Sequence, residues 1–248
     1  MQCSIGFRQS DLTCEKSEYF LYIFPELWKY SRRYNGLLLD SEKIYRVAFS
    51  AVIARYGRVY TNEAKMKVIG KQPLDSLRTL IDLLKIEGAT PEKLAKEIKE
   101  LMKVWIKDAK FKPGAKKLIQ HLAAHKIPMA VATSAWVEMV DILRACHRKT
   151  FSLFHHIVVS DTDPEVARSK PAPDIFFVCA SRFPKNPPPE RCLVFEDSPS
   201  GVLAAKRARM QVVMVPDSMV TQGYKDQGTL IINSLENFRP EDFGLPPF

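Results

Sequence analysis

The chain has 248 residues, of which 46% are hydrophobic and 26% charged. These are ordinary values for a globular protein of one or two domains, and they exclude a collagen-like, disordered or coiled-coil chain. Lys and Arg outnumber Asp and Glu, 37 to 28, for a net charge of +9, which favours anionic partners. No basic stripe interleaved with aromatics runs along the chain, so a solvated lysine-rich surface is expected rather than a nucleic-acid face.

Residues 1–35 form an atypical opening segment. Glu18 to Phe24 contains an apolar run that could supply a strand, while Trp28 to Arg33 is polar and basic. The apolar run is too short for a signal segment, and Asp11, Glu15 and Glu18 precede or open it. No run approaches the roughly 18 apolar residues that cross a bilayer. A cytoplasmic chain with no membrane partner is expected.

Residues 41 to about 112 read as nearly all helix. Asp40 or Ser41 is a candidate N-cap, and Ile44, Val47, Ala48 and Val52 make an apolar face that Gly57 stops. Pro91 to Lys112 predicts a further helix, whose lysines Lys93, Lys96, Lys99, Lys103 and Lys107 form a solvated face with Glu97 and Glu100 in pairing range. Pro113-Gly114 then punctuates the chain. Beyond it, apolar runs alternate with helical patterns. Strands are predicted at Ile127 to Thr133, Phe154 to Ser160, Arg191 to Asp197, Gln211 to Pro216 and Thr229 to Ser234. Helices are predicted at Trp136 to His147, Pro173 to Phe183 and Ser198 to Ala208. This order is that of an α/β parallel sheet with helices on both faces. Its site should lie at the carboxyl ends of the strands. The five cysteines are widely spaced with no CxxC pair, so buried reduced thiols are expected.

Four features fall on that predicted rim. Thr133 and Ser134 end a strand and offer hydroxyls and backbone N–H groups to a phosphate oxygen, or else cap the next helix. Lys170 lies in Lys-Pro-Ala-Pro-Asp, where two prolines stiffen the loop carrying its charge. Glu196-Asp197 ends an apolar strand, where two adjacent carboxylates are costly unless paired or metal-bound; oxygen donors of this kind suit Mg²⁺. Ser198, Ser200 and Gly201 make the turn into the following helix.

In this order and spacing the features resemble motifs two, three and four of the haloacid-dehalogenase-like (HAD) phosphohydrolases. Whole stretches, such as GLLLDSEKIY, KPAPDIF and CLVFEDSPSGV, look closest to the pseudouridine-5′-phosphatase group. The resemblance covers about residues 36–248. It implies a Rossmann-like three-layer HAD core of residues 36–42 and 113–248, with a helical cap of residues 43–112. It implies hydrolysis of a nucleotide-like or sugar phosphate, phosphate held by Thr133, Ser134 and Lys170, Mg²⁺ held by Glu196 and Asp197, and a cap substrate residue at Lys71. A monomer is expected.

The first motif departs from the family. There a strand ends in Asp-x-Asp-Gly, the first Asp being the nucleophile and the second the acid/base. Here the four residues before Leu37 are Arg33-Tyr34-Asn35-Gly36. Arginine is a permanent cation and no nucleophile; asparagine cannot give and recover a proton as a carboxyl does. Impaired hydrolysis is therefore expected, with a phosphate-binding or protein-binding pseudoenzyme as the alternative. The polar Trp28 to Arg33 segment also predicts a damaged central strand. Finally, Ala208-Arg209 stands where the family has Ala-Gly, placing a side chain at a left-handed helix stop.

Overall fold

A computed structural model describes residues 22–25, 37–68, 73–216 and 229–248. Arg33, Asn35, Lys71, Cys3 and Cys14 lie outside the described residues. Six parallel strands form one sheet in the order β3-β2-β1-β4-β5-β6: β1 Tyr22–Pro25, β2 Met129–Thr133, β3 His156–Val159, β4 Leu193–Glu196, β5 Gln211–Met214 and β6 Leu230–Ile231. The order reverses at β1, with β2 on one side and β4 on the other. In open parallel sheets such a reversal places the ligand crevice at the carboxyl ends of these strands.

The central strand corrects the expectation of damage. The strand between β2 and β4 is the apolar run ending at Pro25, while Trp28 to Arg33 lie outside the described residues. A strand in mid-sheet is covered on both faces and must be apolar throughout, which Tyr-Ile-Phe satisfies. Pro25 lies opposite Ala132, one residue short of Thr133.

Each strand's alternation divides the core. Met129, Val131, Leu193, Phe195 and Val213 join one buried cluster with Leu118, Ile119 and Leu122 of α5 (Ala115–Ala124) and Met139, Val140 and Leu143 of α6 (Val137–Cys146). Ala130, Ala132, Val158, Val194, Val212 and Met214 join the other, with Ile175, Phe176 and Cys179 of α8 (Asp174–Ser181) and Val202, Ala204 and Ala205 of α9 (Pro199–Arg207). A short helix, α7 (Arg148–Phe151), follows α6. The result is three layers with helices on both faces of the sheet.

Among the described residues, four α-helices lie between the neck residues 38–40 and 110–112: α1 Glu42–Arg55, α2 Asn62–Val68, α3 Pro73–Leu84 and α4 Pro91–Trp105. The two chain segments pair in the neck, where Asp40 N–H donates to Lys110 O and Lys112 N–H donates to Leu38 O, both at 2.8 Å. Helix α4 stops seven residues before Lys112, giving way to a 3₁₀ turn at Ile106–Asp108. Thr90 caps it by accepting from Lys93 N–H. Its apolar stripe of Leu94, Ala95, Ile98 and Met102 is buried, and its lysine face keeps a specific contact. Lys99 Nζ donates to Glu138 Oε1 of α6 at 3.0 Å and lies 4.9 Å from the Trp136 ring centroid.

Arg209 adopts φ 62°, directly after the α9 cap residue Ala208. A side chain there costs about 1 kcal/mol. Its exposed ion pair with Glu190 returns little. Arg209→Gly should therefore raise Tm by about 1–3 °C, measured by thermal unfolding; an unchanged or lower Tm would mean that the Glu190 pair outweighs the backbone strain.

Cys179 and Cys192 are buried free thiols, whereas Cys146 is exposed, against expectation, on the outer face of α6. Burial pushes the Cys192 thiol up to about 12 and Cys179 higher still, so neither is reactive.

Candidate active site

The carboxyl ends of β2 and β4 flank β1 and carry most of the expected site residues. Thr133 is fully buried, and its Oγ1 accepts from Ala135 N–H at 3.1 Å. The Ser134 hydroxyl is buried and makes no hydrogen bond among the described residues. Neither residue caps α6, whose N-cap is Trp136. The strand-to-helix turn is thus held by Thr133, and the Ser134 hydroxyl stays available beside it.

The loop after β3 brings Lys170 to the same rim. Its Nζ donates to Glu196 Oε1 at 2.9 Å and reaches Ala132 O at 3.5 Å, with the Phe176 ring centroid 5.1 Å away. Both side chains of this pair are essentially without solvent contact, at 1% and 0% exposure. The opposite Glu196 oxygen, Oε2, accepts from Asp197 N–H at 3.0 Å, and from Ser198 N–H and Ser198 Oγ at 2.9 Å each. One carboxylate therefore ties the Lys170 loop to the turn after β4. Asp197 beside it is 1% exposed. Ser198 is the N-cap of α9, with its Oγ accepting from Gly201 N–H.

Three arginines fasten the segment that carries Lys170. Arg182 pairs with Asp163 and Glu165, Arg168 with Asp174, and Arg207 donates to Pro171 O at 2.9 Å. The Arg182 guanidinium holds the Asp163 carboxyl below the usual range, and Arg168 does the same for Asp174. A carboxyl whose pKa falls on folding stabilises the fold above its unfolded value, near 4, and that contribution is lost as pH drops through the lower folded value. Hydrogen-exchange protection of residues 160–173 should thus hold constant from pH 7 to about 5 and fall away below about pH 4. Loss of protection already at pH 6 would assign the fastening to other groups.

Magnesium usually binds through one or two carboxylates in a near-octahedral shell of oxygens. Glu196 and Asp197 are the buried carboxylates at this rim among the described residues. Among the described residues, no group of three or more His, Cys, Asp or Glu is placed to hold an ion. Both oxygens of Glu196 are already engaged by Lys170 and the loop donors, and the first-motif positions read Arg and Asn. The described residues do not by themselves fit a Mg²⁺ site.

Residues 35–215 match the haloacid dehalogenase-like hydrolase family. The chain belongs to that family. It is 44% identical over 214 residues to a Drosophila melanogaster protein named probable pseudouridine-5′-phosphatase, covering 86% of this chain and 92% of that one. It is 40% identical over 216 residues to (DL)-glycerol-3-phosphatase 2 of Arabidopsis thaliana, covering 86% and 90%. Among solved structures, CbbY of Rhodobacter sphaeroides superposes with a TM-score of 0.72 at 21% identity, covering 88% of this chain and 95% of that one. The HAD fold and a HAD-like phosphatase ancestry are thus established, and phosphatases of this family generally use Mg²⁺. No helix among the described residues is long and apolar enough to cross a membrane.

The sequence placed Thr133, Lys170, Glu196 and Asp197 at one rim, and all four lie there. What it missed is the bond between Lys170 and Glu196, 26 residues apart, and the role of Gly201. That glycine is not part of a turn; it lies within the first turns of α9.

Proposed function

We propose that this chain binds a phosphate monoester, of a nucleotide-like or sugar type, and turns it over far more slowly than its relatives. The observation that carries this reading is the buried Lys170–Glu196 pair beside Thr133, set against a first motif that reads Arg33-Tyr34-Asn35-Gly36. The half of the site that recognises an anion is built, and the half that attacks phosphorus is missing from the sequence. Lys170 supplies the fixed positive charge, and the Ser134 hydroxyl and the backbone of the Thr133 turn supply donors. A group that receives the phosphoryl unit and one that protonates the leaving oxygen are both needed for hydrolysis. Arg33 cannot do the first nor Asn35 the second. Losing the nucleophile from a site that works as a unit removes several orders of magnitude in rate.

The similarity to the Drosophila protein favours a second reading, an active phosphatase of the pseudouridine-5′-phosphatase type. Calorimetric titration with inorganic phosphate, with and without EDTA, distinguishes them when paired with a phosphate-release assay on pseudouridine 5′-phosphate and glycerol 3-phosphate. Our reading expects binding that survives EDTA and little release. Mg²⁺-dependent release at an ordinary enzymatic rate would overturn it. In the family's division, residues 36–42 and 113–248 serve as the phosphate-binding core, and residues 43–112 serve as a cap. The protein works as a monomer on a small metabolite.

A further inference from the structure

We infer that Gly201 is a positioning residue: by lacking a Cβ it lets α9 pass over the Glu196 carboxylate, and so fixes the oxygen that holds Lys170. A Cβ built on Gly201 would fall inside that carboxylate, closest of all to Oε1. Oε1 is the atom that accepts from Lys170 Nζ. No backbone conformation demands glycine here, since Gly201 is helical and absent from the positive-φ positions. Clearance is the remaining reason. The helix cannot retreat, because Ser198 Oγ bonds both Glu196 Oε2 and Gly201 N–H, and Val202, Ala204 and Ala205 are fully buried against the sheet. The carboxylate must therefore swing away if a methyl group appears, and Lys170 loses its bond to Oε1.

Helix propensity and clearance predict opposite signs. In a helix, Gly→Ala ordinarily stabilises. At Gly201 it should destabilise, because overpacking and the loss of a buried ion pair both act against the fold. The meaning of that displacement for anion recognition rests on the reading proposed above; the geometry does not.

The test is a double-mutant cycle on the full chain, read by Tm and by acetic anhydride labelling of Lys170 followed by mass spectrometry. Gly201→Ala should lower Tm by about 10 °C and raise Lys170 acetylation, relative to the exposed lysines, by about tenfold or more. In a Glu196→Ala background the same substitution should cost nothing or raise Tm, and leave acetylation unchanged. Should Glu196→Ala fail to fold, Lys170→Met/Glu196→Ala, which removes both charges, provides the background for the Tm arm. An equal Tm loss in both backgrounds, or unchanged Lys170 labelling in Gly201→Ala, would overturn the inference. Wild-type protein titrated with inorganic phosphate separates the two claims: coupling between Glu196 and Gly201 without phosphate binding would sustain the positioning role and refute the phosphate-binding reading.

Discussion

Glu196→Ala is expected to destabilise the fold by about 3–5 kcal/mol, the usual cost of removing one partner of a buried ion pair. Two losses combine. Lys170, with its side chain 1% exposed, loses its ion pair with Glu196 while staying buried. The backbone N–H groups of Asp197 and Ser198 lose their shared acceptor. The paired substitution Lys170→Met/Glu196→Leu removes both charges and should recover much of the loss, since well-packed apolar replacements of buried pairs are often neutral. Urea unfolding of the three proteins decides this. If Glu196→Ala costs less than about 1 kcal/mol, the pair is not closed to solvent as the structure has it.

The second large effect concerns where a nucleophile would have to stand. Strand β1 ends at Pro25, which lies opposite Ala132 at the carboxyl-terminal rim of the sheet. Arg33 is eight positions beyond Pro25 in the chain. Arg33→Asp with Asn35→Asp should therefore leave phosphate release near background. Deleting residues 28–35 and making Pro25→Asp and Leu27→Asp instead joins Asp-Glu-Asp to Gly36, with the first Asp on the last residue of the strand. That variant should raise release from a phosphate monoester by about 10³-fold or more over the wild type. Equal release from both variants would show that distance along the chain from β1 does not matter.

Much of this was legible in the amino-acid sequence. Strands β2 to β5 lie inside their predicted spans because buried parallel strands are short, continuous apolar runs such as MAVAT and LVFE. The left-handed stop at Arg209 was legible too, since Ala-Arg breaks a local rule that needs no tertiary information. The central strand was misplaced because spacing from Gly36 argued for the polar segment, whereas sheet burial selects Tyr22–Pro25. Nothing local links Lys170 to Glu196; their bond arises only when the topology brings two loops to one rim. Gly201 reads as a turn glycine because the sequence shows a missing side chain but not the carboxylate that takes its space. The early end of α4 reflects the neck pairing at Lys110 and Lys112, which ends the helix although its lysine pattern continues.

The proposed function keeps recognition of phosphate and loses its transfer. It is tested most directly by measuring phosphate release from pseudouridine 5′-phosphate, with saturating Mg²⁺, for the wild type beside the Pro25→Asp/Leu27→Asp variant lacking residues 28–35. Near-background release is expected from the wild type, and about 10³-fold more from the variant. Wild-type release at rates of about 1 s⁻¹ or higher, the ordinary range for an enzyme, would contradict it.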